Sequence, residues 1–551
     1  MKPNFGDSSV LNASAANAVS GGEQYFWGTS ALNASAANAV SGGTQYFSEN
    51  SVLDASAANA VSGGQQYFYD ASTLNVLAGN ALTKDVAVNF DNRYSGPGGT
   101  LRLNGHSTVL GAVRSLSAGS GIIENGGAAD SILTIDGSTA GNSSLSGLIR
   151  DGGAGRLGLT LAGGTLTLSG MNTYTGPTTI DGGTLAITST GGITSNVTNN
   201  ARFENAGTVA GSMTNNAGAI FTQTGGSVSG GVINAGTVNA NGGALNGAVV
   251  NNAGGIFNVT SVVTGNSTFG NASGATLAVA ATGDYTLAGL LTNSGLVTVT
   301  DGGALTANGG ITNNGTLTIR NGGTVSASGV AIAANAGSTG TLNIGAGIGD
   351  PAAAPGTLST PTVTFMAGNG RIVFNHTATS YAFVPTISGS GAVTVEAGTT
   401  ILTGAGSSVG AVTVNGGKLE FGQAGTFTAA SYTTQSGATT TIDGTAQLAV
   451  TGAFTQSAGS TLNVAIGAND PAITAATAAL DGTLNVSGYA GTQYTVIHTT
   501  SGITGDFASV TIGGSSSQVD YLTATGGISG NDYIIHTGLT VYQALEYSAR
   551  L

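Results

Sequence analysis

The feature that most constrains this chain is a phrase that returns at a fixed interval. "LNASAANAVSGG" starts at Leu11, starts again at Leu32, and comes back as "LDASAANAVSGG" at Leu53. Leu11, Leu32, Leu53 and Leu74 are 21 residues apart, as are Asn17, Asn38, Asn59 and Asn80, and Ala18, Ala39, Ala60 and Ala81. Gln24, Gln45 and Gln66 keep the same interval, each next to an aromatic pair: Tyr25-Phe26, Tyr46-Phe47 and Tyr67-Phe68. A period near 20 marks a solenoid. With Gly-Gly in every unit it is too short for a pair of helices and suits one coil of stacked strands.

In such a coil each side chain lies over its equivalent one strand spacing away, about 4.8 Å. Small Ala and branched Leu and Val then fill a narrow interior. The Asn of the opening repeat is expected to face inward and pair in an amide ladder, with Gly-Gly turning the corner. Strand neighbours alternate faces, so one member of each aromatic pair should point in and the other out.

The middle of the chain keeps the grammar with other words. The tags "NAGTV" at Asn205, "NNAGA" at Asn215, "NAGTV" at Asn234, "NNAGG" at Asn251, "NASGA" at Asn271, "TNSGLV" at Thr292 and "TNNGTL" at Thr312 recur. From Gly218 their glycines (Gly236, Gly254, Gly274, Gly295, Gly315) come at intervals of 18, 18, 20, 21 and 20 residues. Asn and Gly tolerate the left-handed conformation, so these tags read as corners. The stretches between them, such as "LVTVT" and "TLTIR", alternate as half-buried strands do.

Composition excludes competing classes. Glycine is 94 of 551 residues without the every-third spacing of collagen, and hydrophobic residues make up 40 %, too many for a disordered polar chain. The net charge is −13 and the lysines are Lys2, Lys84 and Lys418, so a phosphate-neutralising surface and nucleic-acid binding are not expected. There is no cysteine, which rules out disulfides and thiolate metal sites. No continuous apolar run is long enough for a membrane helix, and "MKPNFGDSSV" lacks the apolar core of a signal peptide.

Residues 164–187, "GTLTLSGMNTYTGPTTIDGGTLAI", closely resemble the autotransporter-associated β-strand repeat of Gram-negative passenger domains. "LSGLIRDGGAGRLGLTLAGG" at 145–164 resembles the lead-in to that repeat, and "GTLNIGAGIGDPAAAPGTL" at 340–358 resembles passenger sequence. "YTVIHTTSGITGDFASVTI" at 494–512 resembles the pertactin-like autochaperone segment, and "DYLTATGGISGNDYIIHTGLTVY" at 520–542 resembles the stretch between that segment and the outer-membrane barrel. The resemblance implies an all-β fold, a single-stranded right-handed parallel β-helix with an autochaperone-like C-terminal cap. The divisions it suggests are 1–92 (21-residue repeats), 93–190 (autotransporter-associated repeat), 191–335 (Asn/Gly-rich coils), 336–465 (continuation) and 466–551 (cap). It further implies an adhesin of virulence type at the cell surface or secreted. Its partners would be a host cell surface, extracellular matrix, glycans or a second copy of itself. Membrane attachment is expected only through a translocator barrel that these residues do not include.

Chemistry has few candidates. Gly406-Ser407-Ser408-Val409-Gly410 has the G-x-S-x-G form, but a chain so rich in Gly and Ser produces it by chance, and no strand-to-helix turn surrounds it. "GDSS" at 6–9 falls short of a lipase-type motif. His106, His376, His498 and His536 have no metal-ligand spacing, and "GGAGRL" at 152–157 places Arg156 where a calcium nonapeptide needs a carboxylate. No catalytic residue, metal or cofactor is expected. The pointed feature is aromatic: Tyr25, Phe26, Trp27, Tyr46, Phe47, Tyr67, Phe68 and Tyr69, either an interior stack or an outward binding strip. The alternatives to an adhesin are the β-helical stalk of a secreted hydrolase and a phage or polysaccharide-processing β-helix.

Overall fold

The structure is a computed structural model and describes residues 3–92, 96–422, 424–488, 493–513 and 522–539. The chain divides into two units, Met1–Gly270 and Asn271–Leu551. Both are built from short parallel strands, and the only helix among the described residues is Gly137–Ala140.

The first unit opens as the period requires. Strands Val10–Ala13, Ala31–Ala34, Val52–Ala55 and Thr73–Val76 lie parallel, with Leu11 beside Leu32, then Leu53 and Leu74 in turn. A second face stacks Glu23–Phe26 on Thr44–Phe47 and Gly64–Tyr69, pairing each residue with its equivalent 21 positions on. Single bridges Val19–Val40, Val40–Val61 and Val61–Leu82 close the third side. Leu32, Ala34, Val40 and Phe47 are fully buried. A side chain such as Phe47 contributes about 2–3 kcal/mol by leaving water. Each strand sends two residues inward: Leu with a small Ala or Val on one side (Leu32 and Ala34, Leu74 and Val76), and Phe with Gln on the other (Phe47 and Gln45).

The repeated asparagines exchange the roles expected of them. Asn17, Asn38, Asn59 and Asn80 do not form an inward ladder. They are exposed corners with φ of 58°, 57°, 54° and 53°, and Asn38 N–H donates to the Asn59 carbonyl at 2.8 Å. The left-handed conformation that Asn tolerates fixes them at the bend. The inward amide ladder of these coils is glutamine: Gln45 Nε2 donates to Gln24 Oε1, and Gln66 Nε2 to Gln45 Oε1, both at 2.6 Å.

Conversely, Asn215, Asn234 and Asn251 do not turn corners. Each ends a strand (Met213–Asn215, Val232–Asn234, Val249–Asn251) and is fully buried. Asn199 Nδ2 donates to Asn215 Oδ1 at 2.8 Å, Asn215 to Asn234 at 2.8 Å and Asn234 to Asn251 at 2.7 Å. The second unit has its own ladder, Asn271 to Asn293 at 2.9 Å and Asn293 to Asn313 at 2.7 Å. Where a left-handed glycine makes the corner, it comes after the amide: Gly218 (φ 81°) after Asn215, Gly254 (φ 81°) after Asn251 and Gly274 (φ 78°) after Asn271. A buried amide at a strand end satisfies the turn's own backbone: Gly236 N–H donates to Asn234 Oδ1 at 3.1 Å.

Near the end of the second unit the stacking changes sense. Ile473–Leu480 pairs in parallel with Gln493–Thr499, which pairs antiparallel with Asp532–Leu539. That strand forms a hairpin with Leu522–Ser529. Residues 489–492, 514–521 and 540–551, part of the expected cap, lie outside the described residues.

Candidate functional site

The aromatic residues sort by face as strand alternation dictates. Phe26, Phe47 and Phe68 point inward, at most 1 % exposed, with rings stacked at 4.9 and 5.0 Å. Tyr25, Tyr46 and Tyr67 point outward and form a second, half-buried stack at 4.7 and 5.0 Å. The pair is therefore both an interior stack and an outward strip. The Tyr25 hydroxyl donates to Glu23 Oε2 at 2.6 Å.

Trp27, Ser48 and Tyr69 come next after these pairs, in one further outward column set by the Phe26–Phe47–Phe68 register. Trp27 is 39 % exposed and Tyr69 is 9 % exposed. Gly6 lies beside Trp27 on the preceding coil, and the indole covers it so closely that a methyl group there would enter the ring. The indole N–H donates to Asn4 Oδ1 at 2.8 Å, which fixes the ring plane. A groove results, lined by Asn4, Tyr25, Phe26, Trp27, Tyr46, Ser48 and Tyr69. Asn4, Gly6 and Ser48 escape a reading of the sequence that looks only for aromatics. Their signal is the substitution of the third column, Trp-Ser-Tyr, inside an otherwise faithful repeat.

The other candidates do not converge. Ser408 is exposed at the start of strand Ser408–Val414, beside Thr428 of the next strand, and not at a strand-to-helix turn. Its neighbour Ser407 is buried and committed to the backbone, donating to the Gly404 carbonyl at 2.7 Å and accepting from Ile387 N–H at 3.0 Å. His376 is buried, and its Nε2 lies 2.9 Å from Thr400 Oγ1. Burial holds its pKa below the usual value against a smaller opposing contribution from the Ala378 backbone. His498 Nδ1 meets Asp532 Oδ1 at 2.6 Å on the surface, and His106 and His536 lie elsewhere. Among the described residues no three His, Cys, Asp or Glu side chains cluster as a metal site would need.

One charged cluster is structural in form. Glu124, buried between neighbouring coils, accepts from Arg102 Nε and Arg150 Nη2, each at 2.7 Å. Burial raises its pKa, but the hydrogen bonds and charges of the two arginines outweigh that and hold it below the ordinary carboxylate value.

Comparison with known proteins gives two results. The passenger-associated transport repeat matches residues 163–187 and 390–421. The chain is also 47 % identical over 72 residues to the adhesin BmaC autotransporter of Brucella suis biovar 1 (strain 1330). That match covers 13 % of this chain and 2 % of the relative's length.

The second repeat copy can be superposed on the first without a gap, since Gly398–Phe421 tracks Gly164–Ile187 at a constant offset of 234 (398 − 164). The outer strands of the two copies pair alike. Thr165–Leu168 pairs with Thr184–Ile187, and Thr399–Leu402 with Lys418–Phe421, each 19 residues on. In both, a left-handed glycine sits on another: Gly183 (φ 73°) on Gly164 (φ 75°), and Gly417 (φ 63°) on Gly398 (φ 80°). A side chain at Gly183 or Gly417 would strike the carbonyl oxygen of the glycine one coil earlier, which explains the Gly-Gly of the motif. Ser408, the centre of the G-x-S-x-G form, occupies the position of Tyr174 in the first copy, so that form is part of the repeat. This repeat, present twice with its outer strands paired alike on parallel coils of stacked strands, supports an autotransporter passenger domain.

Proposed function

We propose that this passenger is an adhesin, exported and exposed at the cell surface or secreted, that attaches to a host cell, to extracellular matrix or to another copy of itself. The observation that carries the reading is the outward tyrosine stack of Tyr25, Tyr46 and Tyr67 beside Trp27, apolar surface on a face that is otherwise Thr, Gln and Glu. Contacts that recur coil after coil combine by avidity. The name of the Brucella relative is in keeping with this reading. The antiparallel hairpin Leu522–Leu539 supports a capping role for 466–551, since it ends the parallel pairing of the preceding strands.

The test compares the chain with its Tyr25→Thr/Tyr46→Thr/Tyr67→Thr variant in binding to cultured cells, to matrix proteins and to itself. Attachment should fall at least tenfold with unchanged circular dichroism. Equal attachment by both removes the strip from the reading. Hydrolytic turnover by the purified chain that disappears in Ser408→Ala would replace it with a hydrolase stalk.

A further inference from the structure

The tyrosine stack and the groove beside it differ in what they can bind. Tyr25, Tyr46 and Tyr67 lie ring on ring at 4.7 and 5.0 Å, with interplanar angles of 9° and 22°, so no ligand ring fits between them. The stack presents edges and hydroxyl groups. Trp27 is different. One side of its indole lies on Gly6, and its column continues with Ser48, whose short side chain leaves the next strand spacing open, before Tyr69. The Trp27 and Tyr69 backbones are two strand spacings apart, about 10 Å. That is room for one ring stacked on the indole at van der Waals distance.

The surroundings specify which kind of ring. The groove wall offers a neutral amide at Asn4, a hydroxyl at Ser48 and the phenols of Tyr25 and Tyr46. The residues bordering it are acidic: Glu23 bonded to Tyr25, Glu49 accepting from Gly28 N–H at 3.0 Å, and Asp70 accepting from Glu49 N–H at 3.3 Å. No Lys or Arg lines the groove among the described residues. An anionic ligand would meet like charge. The indole is already held by its bond to Asn4 and its contact with Gly6, so little freedom is lost when something stacks on it.

We propose that this groove is a saccharide subsite. It takes one uncharged pyranose ring of a glycan, a neutral hexose or an N-acetylhexosamine, with the ring's C–H face on the Trp27 indole and its hydroxyl or amide groups on Asn4 and Ser48. The proposal rests on the adhesin reading and names the class of ligand for it.

Trp27 is the only tryptophan of the chain, so its emission reports this site alone. The full chain is titrated with oligomers of N-acetylglucosamine, glucose, galactose and mannose, with heparin oligosaccharides, and with a tripeptide carrying a central phenylalanine. A saturable emission change is expected with at least one uncharged oligosaccharide and with neither the heparin nor the peptide. Ser48→Phe fills the groove and keeps Trp27, and should weaken the response at least tenfold. Ile233→Ser, an exposed position on another face of the same unit, should leave it within twofold. Unliganded emission and circular dichroism confirm that Ser48→Phe folds. No saturable change with any uncharged sugar, an undiminished response in Ser48→Phe, or an equal response to heparin or peptide overturns the subsite. Cell attachment is measured in parallel. Attachment without sugar binding removes the subsite alone, and sugar binding without attachment removes the adhesin reading alone.

Discussion

Replacing Asn234 by alanine is the sharpest probe of what holds the coils in register. The Asn234 amide joins three coils. Its Oδ1 accepts from Asn215 Nδ2 at 2.8 Å and from Gly236 N–H at 3.1 Å. Its Nδ2 donates to Asn251 Oδ1 at 2.7 Å and reaches the carbonyls of Gly236 and Ile256 at 3.1 Å. Alanine removes both ladder bonds, at about 1 kcal/mol net each, and takes the acceptor from a buried backbone N–H, at about 1–3 kcal/mol more. The expected loss is therefore about 3–5 kcal/mol, in the range reserved for broken buried networks. Because coils couple to their neighbours, the loss should be local. A global melt of so long a repeat array is not two-state, so the assay is native-state hydrogen exchange of strands Met213–Asn215, Val232–Asn234 and Val249–Asn251. Asn38→Gly is the comparator: an exposed corner at φ 57°, where glycine should change local stability by less than about 0.5 kcal/mol. Unchanged protection in Asn234→Ala, or an equal loss in Asn38→Gly, refutes the division of asparagines into buried clamps and exposed corners.

The same geometry sets three further outcomes. Gly183→Ala combines a left-handed φ of 73° with a collision on the Gly164 carbonyl and should cost more than about 2 kcal/mol, whereas Gly218→Ala, equally left-handed but with open space around it, should cost about 1–2 kcal/mol; thermal unfolding or limited proteolysis ranks the two. Glu124→Gln should cost roughly 2 kcal/mol at neutral pH. The Glu124 carboxyl is lowered on folding from its usual 4.5, so its contribution is complete above that pH and is lost as pH falls through the lower folded value; the penalty of the variant should shrink in acid, as exchange protection of strand Leu148–Gly152 reports. His376 has a folded pKa depressed from 6.5, so strand Arg371–Asn375 and its neighbours are fully stable above that pH and lose protection as pH falls below it; His376→Gln should flatten that pH dependence.

Much of the fold is legible because stacking makes equivalent residues literal neighbours. Leu11 meets Leu32 for the same reason that the two are 21 residues apart, and alternation alone sends Phe26 in and Tyr25 out. Asparagine is where sequence reading fails, because the residue suits both a left-handed corner and a buried amide bond. What separates Asn17 from Asn234 is position: the first stands in the turn and the second closes a strand just before the bend. The second transport repeat is hidden by its middle. It replaces the Asn-Thr-Tyr of Asn172–Tyr174 with Gly406, Ser407 and Ser408, keeping only the glycines and the outer strands. The groove at Trp27 depends on Gly6 and Ser48, small residues whose role is to leave space, and space carries no mark in a sequence.

The buried amide ladders keep contact across unequal intervals: 16, 19 and 17 residues from Asn199 to Asn251, then 22 and 20 from Asn271 to Asn313. Coil length is therefore free to vary while the clamp stays fixed. An insertion or deletion of a few residues at an exposed bend changes the outline of one coil and is not passed to the next. Such a chain can drift in sequence on its outside and still deliver every strand to the same place.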